Sequence, residues 1–435
     1  MNSSKKQFRK FLLLWSGDFI SAIGSGLTAF GLGVYLFQQT GQVSYMALVT
    51  LLAFLPSLLL SVPAGVLADR YDRRLLMVIG DSFSAIGLLY ILVCLTRGEA
   101  RVWQICVGVA VSSVFTSLLE PSYKATITDL LTPEQYSKAS GLVQVAGSAK
   151  YLISPILAGF LLTISDIRLL LVLDIATFFV TVTTTLAVRK GLPSKKTNQA
   201  ASFVSEFKDG FRAVTGKKGL MTLVAMGSVV TFCLGIIQTL ASPMILSFAG
   251  SDTLGTLMTV IALGMLASSL VLGGLSIKKG YARMLSISLF GSGVFMAVFG
   301  LRENIWIIGI SGFLLFAMFP FANASLDFLL RTNIDNDLQG RAWGLIGFIS
   351  QLGYVAAYAL SGVLADYLFT PLLLPGGALA GTVGTVFGVG AGRGIGFLIT
   401  MAGLLLCVTA VFLLGIKSIR GLEKGSAYEK QNDLE

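Results

Sequence analysis

The sequence predicts an all-α membrane protein, twelve transmembrane helices arranged as two pseudo-symmetric six-helix bundles. Three observations predict it. The 435 residues are 54% hydrophobic and only 12% charged, with a mean hydropathy of +0.82, too little polar surface for a soluble protein of this length. The apolar stretches run for roughly 20 residues or more, long enough to cross a bilayer, and are apolar all round rather than striped. The third observation is a repeat between the two halves.

In chain order the spans are expected near 11–37, 43–68, 75–96, 103–127, 138–163, 168–188, 219–248, 254–277, 283–300, 305–328, 341–365 and 393–416. The first follows Lys5, Lys6, Arg9 and Lys10. It is too long for the apolar core of a signal peptide and has no clear cleavage site. Many of the 49 glycines fall inside spans, where membrane helices pack backbone to backbone. Cys94, Cys106, Cys233 and Cys407 lie in apolar runs with neither ligand spacing nor a disulfide framework. Histidine is absent, so proton chemistry near neutral pH falls to carboxylates in unusual surroundings.

The net charge of +10 is unevenly placed. One side of the expected topology carries Arg97, Arg101, Arg168, Arg302 and Arg393, and Lys150 lies within a span. The rest of the 32 Lys and Arg gather in the two tails and in or beside the loops after even-numbered spans. That asymmetry puts both termini in the cytoplasm and argues against nucleic acid as the partner.

The domains expected are 1–190, an N-terminal bundle; 191–218, a cytoplasmic linker; and 219–435, a C-terminal bundle with its tail. In the linker Phe203, Phe207, Phe211 and Val214 recur at helical spacing, with Glu206, Lys208, Asp209 and Arg212 off that stripe. This pattern reads as an amphipathic helix on the inner membrane surface. The segment near 366–391, with Pro371, Pro375 and many glycines, is too broken for a span. Lys138-Ala-Ser-Gly141-Leu aligns with Arg341-Ala-Trp-Gly344-Leu, and at the same offset Ala158-Gly159 aligns with Ser361-Gly362. Gly65 aligns with Gly274, ahead of a worn basic loop at Lys278-Lys279-Gly280. Related six-helix halves are the architecture of a carrier with its site at the repeat interface.

Gly65-x-x-x-Asp69-Arg70-x-x-Arg73-Arg74, between the second and third spans, resembles the signature loop of the major facilitator superfamily. A glycine there suits close helix approach. The usual pattern has Gly between the basic residues, where this chain has Asp72. Trp15-Ser16-Gly17, Ser21-Ala-Ile-Gly24-Ser, Phe207-Lys-Asp-Gly210-Phe and Gly388-Val-Gly-Ala-Gly-Arg393-Gly-Ile-Gly396 resemble the bacterial macrolide-efflux type of drug–proton antiporters within it. Pro155-Ile-Leu-Ala-Gly159 is similar to the end of the motif associated with exporters. The mid-membrane Arg found in the fourth span of many proton-coupled members is missing; Arg101 lies at the outer edge. The resemblance implies a cavity lined by the first, fourth, seventh and tenth spans.

Ionisable groups inside spans are costly and mark function. Asp18 lies about 12 Å and Glu120 about 10 Å from the inner edge at 1.5 Å per residue, and Lys150 sits mid-span in the fifth helix. The expectation is that Asp18 and Glu120 bind a proton or a cationic substrate in exchange and that Lys150 tunes their affinity; the alternative is a static ion network in which Lys150 pairs with one acid. Asn323, Asp327 and Arg331 follow at four-residue steps, the last two suiting an inner-edge ion pair with a gating or structural role. Gln238, Tyr354 and Tyr358 could offer hydrogen bonds to substrate, or simply pack. Asp174 is expected at the headgroups, and Asp81 as support for the loop arginines. Gly65, Asp69, Arg70, Arg73 and Arg74 are expected to form a conformational switch, Asp69 latching onto the other bundle by a helix-terminus or Arg contact.

No phosphate-cradling loop, metal cluster or histidine-assisted nucleophile is present, so neither an enzyme nor a cofactor is expected. The reading is a monomeric exporter of amphipathic or hydrophobic small molecules in a bacterial plasma (inner) membrane, with protons and lipid bilayer as partners. Export of a dedicated metabolite such as a siderophore or lipid-like molecule is the alternative, and a non-transporting receptor or scaffold on a carrier fold is a third.

Overall fold

The computed structural model describes residues 2–189, 211, 218–274, 279–334, 339–416, 419 and 422. Every regular element among them is helical. Twelve helices among the described residues are long and apolar enough to cross a membrane: Lys6–Thr40, Val43–Ser61, Arg73–Thr96, Val102–Leu130, Lys138–Ile164, Ile167–Arg189, Gly219–Leu246, Ser251–Gly274, Tyr281–Phe299, Ile305–Arg331, Leu345–Leu373 and Ala391–Gly415. The linker expected near 191–218 lies almost wholly outside the described residues.

The chain divides into two compact units, Met1–Ala200 with Ala249–Thr259, and Ala201–Phe248 with Val260–Glu435. In the first, α1 (Asn2–Thr40), α2 (Val43–Arg70) and α3 (Arg73–Thr96) are unbroken. The fourth span is split into α4 (Val102–Thr116) and α5 (Leu119–Leu130), and the fifth into α6 (Pro133–Leu152) and α7 (Ser154–Ile164). Proline accounts for both breaks: Pro121 and Pro155 have no N–H to give the carbonyls of Ser117 and Tyr151. The sixth span, α8 (Ile167–Arg189), packs along α1. Gly17, Gly24 and Gly31, spaced two turns apart, open that contact: a Cβ there would meet Thr184, Thr177 with Asp174, and Ile167 with Leu170. Leu36, Ile91, Ile105, Leu170 and Leu171 form the core at one end, and Phe11, Leu14, Met77, Leu130 and Val188 the core at the other.

In the second unit run α9 (Lys218–Leu246), most of α10 (Ser251–Gly274), α11 (Tyr281–Phe299), α12 (Ile305–Arg331), α13 (Gln339–Leu364) and the twelfth span. The last two spans are joined by the segment that resists assignment from sequence. It continues α13 through a π-turn (Ala365–Phe369) into α14 (Thr370–Leu373), folds back, and makes a short α15 (Val383–Phe387) before α16 (Ala391–Gly415). The fold-back is bonded: Gly390 N–H donates to Leu373 O, and Leu379 N–H to Leu372 O. Leu373 and Phe387 are buried, and Phe369 and Phe387 both pack edge-on against Phe397. Glycines let α11 and α16 meet, Gly293 against Gly403 and Gly300 against Gly396.

Candidate functional site

The charged turn between α2 and α3 is held inside the first unit. Asp72 caps α3, its carboxylate accepting from Arg74 N–H at 3.1 Å, and pairs with Arg189 at 2.8 Å. Arg73 donates to Asp129 at 2.7 Å and to the carbonyls of Ala68 and Ala125. Arg74, only 4% exposed, lies 3.7 Å from the same Asp129. Arg70 is exposed at the end of α2. A methyl group at Gly65 would meet nothing within 4 Å among the described residues, so none of them makes the close helix approach expected at that glycine. The side chain of Asp69, the expected latch, lies outside the described residues.

Further inside the unit, Asp18 is half-buried on α1 with the Tyr123 hydroxyl facing it. Asp174 is 1% exposed, against the expectation that it sits among headgroups. It faces Ser25 and Thr28 of α1 and its own neighbour Thr177, with Lys150 near enough to act on its charge. Gly24 makes the room, because a Cβ there would stand 2.8 Å from Asp174 Oδ1. Asp81 is also 1% exposed. It does not support Arg73 and Arg74, which pair with Asp129, and stands instead where Asp18 and Asp174 act on it. Glu120 is exposed in the first turn after the break of the fourth span, where it accepts from Lys124 at 2.6 Å. Its ion partner is thus its neighbour on α5 rather than Lys150.

Pro155 and Gly159 pack the backbone of α7 onto the start of α10, all within the first unit. A Cβ on Gly159 would stand 2.6 Å from Ser251 O, and one on Gly255 would strike Pro155 O. Thr259 Oγ1 donates to Leu152 O at 2.9 Å beside them. In the second unit the Tyr358 hydroxyl donates to Gln238 Oε1 at 2.8 Å. Tyr358 is buried, Gln238 is exposed, and the Tyr354 ring lies 5.8 Å from that of Tyr358. Asp327 and Arg331 form the expected pair at 3.1 Å, both about half exposed, with the guanidinium also over the Trp343 ring. Asn323, one turn earlier, is exposed.

The profile of the Major Facilitator Superfamily matches residues 14–248. The chain belongs to that superfamily. It is similar to macrolide efflux protein A of Streptococcus pyogenes, 26% identical over 369 residues, covering 82% of this chain and 89% of that one. It is also similar to the enterobactin exporter EntS of Salmonella typhi, 24% identical over 364 residues with 83% and 87% covered. In fold it matches a mutant of nucleoside transporter NupG with a TM-score of 0.76 at 13% identity, over 93% of this chain and 99% of that one. This major facilitator protein is therefore a multi-pass membrane transporter and not an enzyme.

Within this superfamily member, sequence reasoning passes over three groups. Asp129 joins Arg73 and Arg74, but it reads as an ordinary charge at a helix end because its partners lie 56 and 55 residues earlier. Arg189 closes the sixth span onto Asp72 across 117 residues. Arg393, 3% exposed, donates to Glu303 at 2.6 Å and to Phe387 O, and so anchors the fold-back segment. One signal was available for each: a charge at the end of a span, with a residue of opposite charge in or beside a loop at the same membrane face.

Proposed function

We propose that this transporter exports amphipathic or hydrophobic small molecules from a bacterial cell by proton antiport and alternating access. The observation that carries the direction of transport is that two differently named relatives, a macrolide efflux protein and an enterobactin exporter, each match more than four-fifths of the chain. Proton coupling is supported by the carboxyl groups inside the spans of the first unit, with Asp18 the half-buried one. Such groups are costly in a membrane and mark ion and proton pathways. Lys150 tunes them through Asp174. Gln238 and Asn323, exposed on the spans of the second unit, supply polar contacts to substrate, and Glu120 takes part only when Lys124 releases it. The turn from Gly65 to Arg74, with the Asp327–Arg331 pair, switches between states. The basic loops put both termini in the cytoplasm, and the protein works as a monomer.

The test is uptake into proteoliposomes under an imposed pH gradient, with a labelled macrolide, a lipophilic cationic dye and a catecholate siderophore as probes. Gradient-driven macrolide or dye uptake that a protonophore abolishes and Asp18→Asn impairs is expected. Full proton-driven uptake in both Asp18→Asn and Glu120→Gln would overturn the coupling residues. Flux of the siderophore alone would favour the dedicated exporter suggested by the enterobactin relative. An absence of gradient-driven flux for all three would favour a receptor.

A further inference from the structure

Inside the first unit lies a carboxyl group that no hydrogen bond accounts for. Asp81 is 1% exposed, and neither of its carboxyl oxygens has a partner among the described residues. It follows Gly80, whose bare backbone lets α3 press onto Leu119 and Phe115 of the fourth span. The titratable and polar groups on the elements around it are these. Asp18 on α1 and Asp174 on α8 act on it with like charge. From α5, Tyr123 is 7% exposed, its hydroxyl directed at Asp18 and otherwise unpartnered among the described residues. From α4, Ser112 already shares a hydrogen bond with Ser84 at 2.8 Å. On α3 itself Arg73 and Arg74 are committed to Asp129, and Arg70 of α2 is exposed at the turn. Lys150 acts on Asp174, and among the described residues no cation acts on Asp81.

A bare carboxylate in such a place costs several kcal/mol, and two further carboxylates nearby raise that cost. A structural aspartate would be expected to hold donors; this one holds none among the described residues. No group of three or more acidic or other ligand residues among those described could hold a metal ion. The species such a carboxyl accommodates at low cost is a proton.

We propose that Asp81, together with Asp174, is an internal proton-holding site of the first unit, filled from water by way of Asp18 and Tyr123. The proposal rests on the antiport reading and deepens it, with Asp18 as the entry group and Asp81 as the store. Hydronium gives its proton to the carboxylate, leaving water and a neutral acid, and release runs the same exchange backwards. The neutral acid can sit in a dry interior while the units change state. Lys150 compensates charge on Asp174, so the two acids are not equivalent.

Infrared difference spectroscopy of the full-length chain in lipid, between acidic and alkaline buffer, tests the site without a substrate. A carboxylic-acid carbonyl band of apolar surroundings is expected, present in acid, lost in alkali and shifted in deuterated water. Asp81→Asn should remove the Asp81 share of it and reduce protons released per chain by about one, whereas Asp18→Asn should keep it. A wild-type spectrum without the band, or a full-sized band in Asp81→Asn, would overturn the site. If Asp81→Asn does not fold, Asp81→Glu should move the band, and an unmoved band overturns the assignment. A band that responds to sodium chloride but not to choline chloride at constant pH overturns the proton in favour of sodium. A titrating band in a wild-type chain with no pH-driven flux of macrolide or dye supports the site and contradicts the antiport reading alone. Unchanged gradient-driven macrolide uptake in Asp81→Asn overturns the part of the site in coupling.

Discussion

Arg189 Nε donates to Asp72 Oδ2 at 2.8 Å, tying the last residue of the sixth span to the turn between the second and third. Asp72 stands where the superfamily loop usually has glycine, and it does two things a glycine cannot: it caps α3 through Arg74 N–H and it receives Arg189.

The two roles separate by substitution. Asp72→Asn keeps a capping oxygen and loses only the ion pair, which is partly exposed and contributes at most about 1 kcal/mol. Asp72→Ala loses both, with the cap alone contributing about 1 kcal/mol. Thermal midpoints of the detergent-solubilised protein at one heating rate should rank wild type above Asp72→Asn, and that above Asp72→Ala. Arg189→Met should cost no more than Asp72→Asn and add nothing on top of it. A fall in Arg189→Met larger than in Asp72→Ala would contradict the assignment.

Asp129 is predicted to be the most sensitive charge at this end. It serves two arginines, one of them 4% exposed, and its removal strands a buried guanidinium. Hydrogen bonds to charged groups are worth about 1.5–3 kcal/mol, so Asp129→Ala should cost about 2 kcal/mol. Arg73→Gln should cost less, since Arg74 would still be paired. Equal thermal midpoints for Asp129→Ala and Arg73→Gln would contradict this order.

The twelve spans were legible because apolar length is a local property, and their positions follow runs such as Leu169–Val188 and Leu398–Leu414 directly. What a charge faces is not local. Asp18 was recognisable as an interior group from its depth in the first span, but Asp174 was not. Its burial depends on Gly24, 150 residues earlier, leaving space on α1 for the carboxylate. Asp81 read as part of the loop it follows because two turns of helix separate contact from neighbourhood in a way that sequence proximity hides. Glu120 lies in the fourth span as its position implies, but its exposure beside Lys124 was hidden, because it follows a break at Ser117 and Leu118 that Pro121 sets. The fold-back near 366–391 gave no period to read, since its order comes from backbone bonds such as Gly390 to Leu373 and from glycines at positive φ, Gly376, Gly388 and Gly390.

Gly159 and Gly255 are predicted to tolerate no side chain. A Cβ at either would strike backbone rather than a movable side-chain end, so relief requires α7 and α10 to separate. Overpacking of this kind costs about 1–3 kcal/mol. Gly159→Val and Gly255→Val should each lower the thermal midpoint, and Gly65→Ala, which meets open space among the described residues, should not. A midpoint for Gly255→Val equal to wild type would show that the two helices separate at no cost.

The last prediction concerns the pair that anchors the fold-back segment. Arg393 is 3% exposed, whereas its partner Glu303 is 38% exposed, so the two sides of the pair are unequal. Glu303→Gln leaves a buried guanidinium with Phe387 O as its remaining acceptor among the described residues, and breaking a buried pair from one side costs more than replacing it by an apolar group. With Glu303 partly in solvent, the loss should be about 1–3 kcal/mol. Arg393→Met fills similar space without a charge and should cost less, while the double substitution should resemble Arg393→Met alone. Because Leu373, Phe387 and Phe397 pack around this anchor, its loss should first free the turn between α14 and α15. Limited proteolysis near residues 374–382 should therefore accelerate in Glu303→Gln more than in Arg393→Met. Equal cleavage in the two variants would mean that the aromatic packing, and not the ion pair, holds the segment closed.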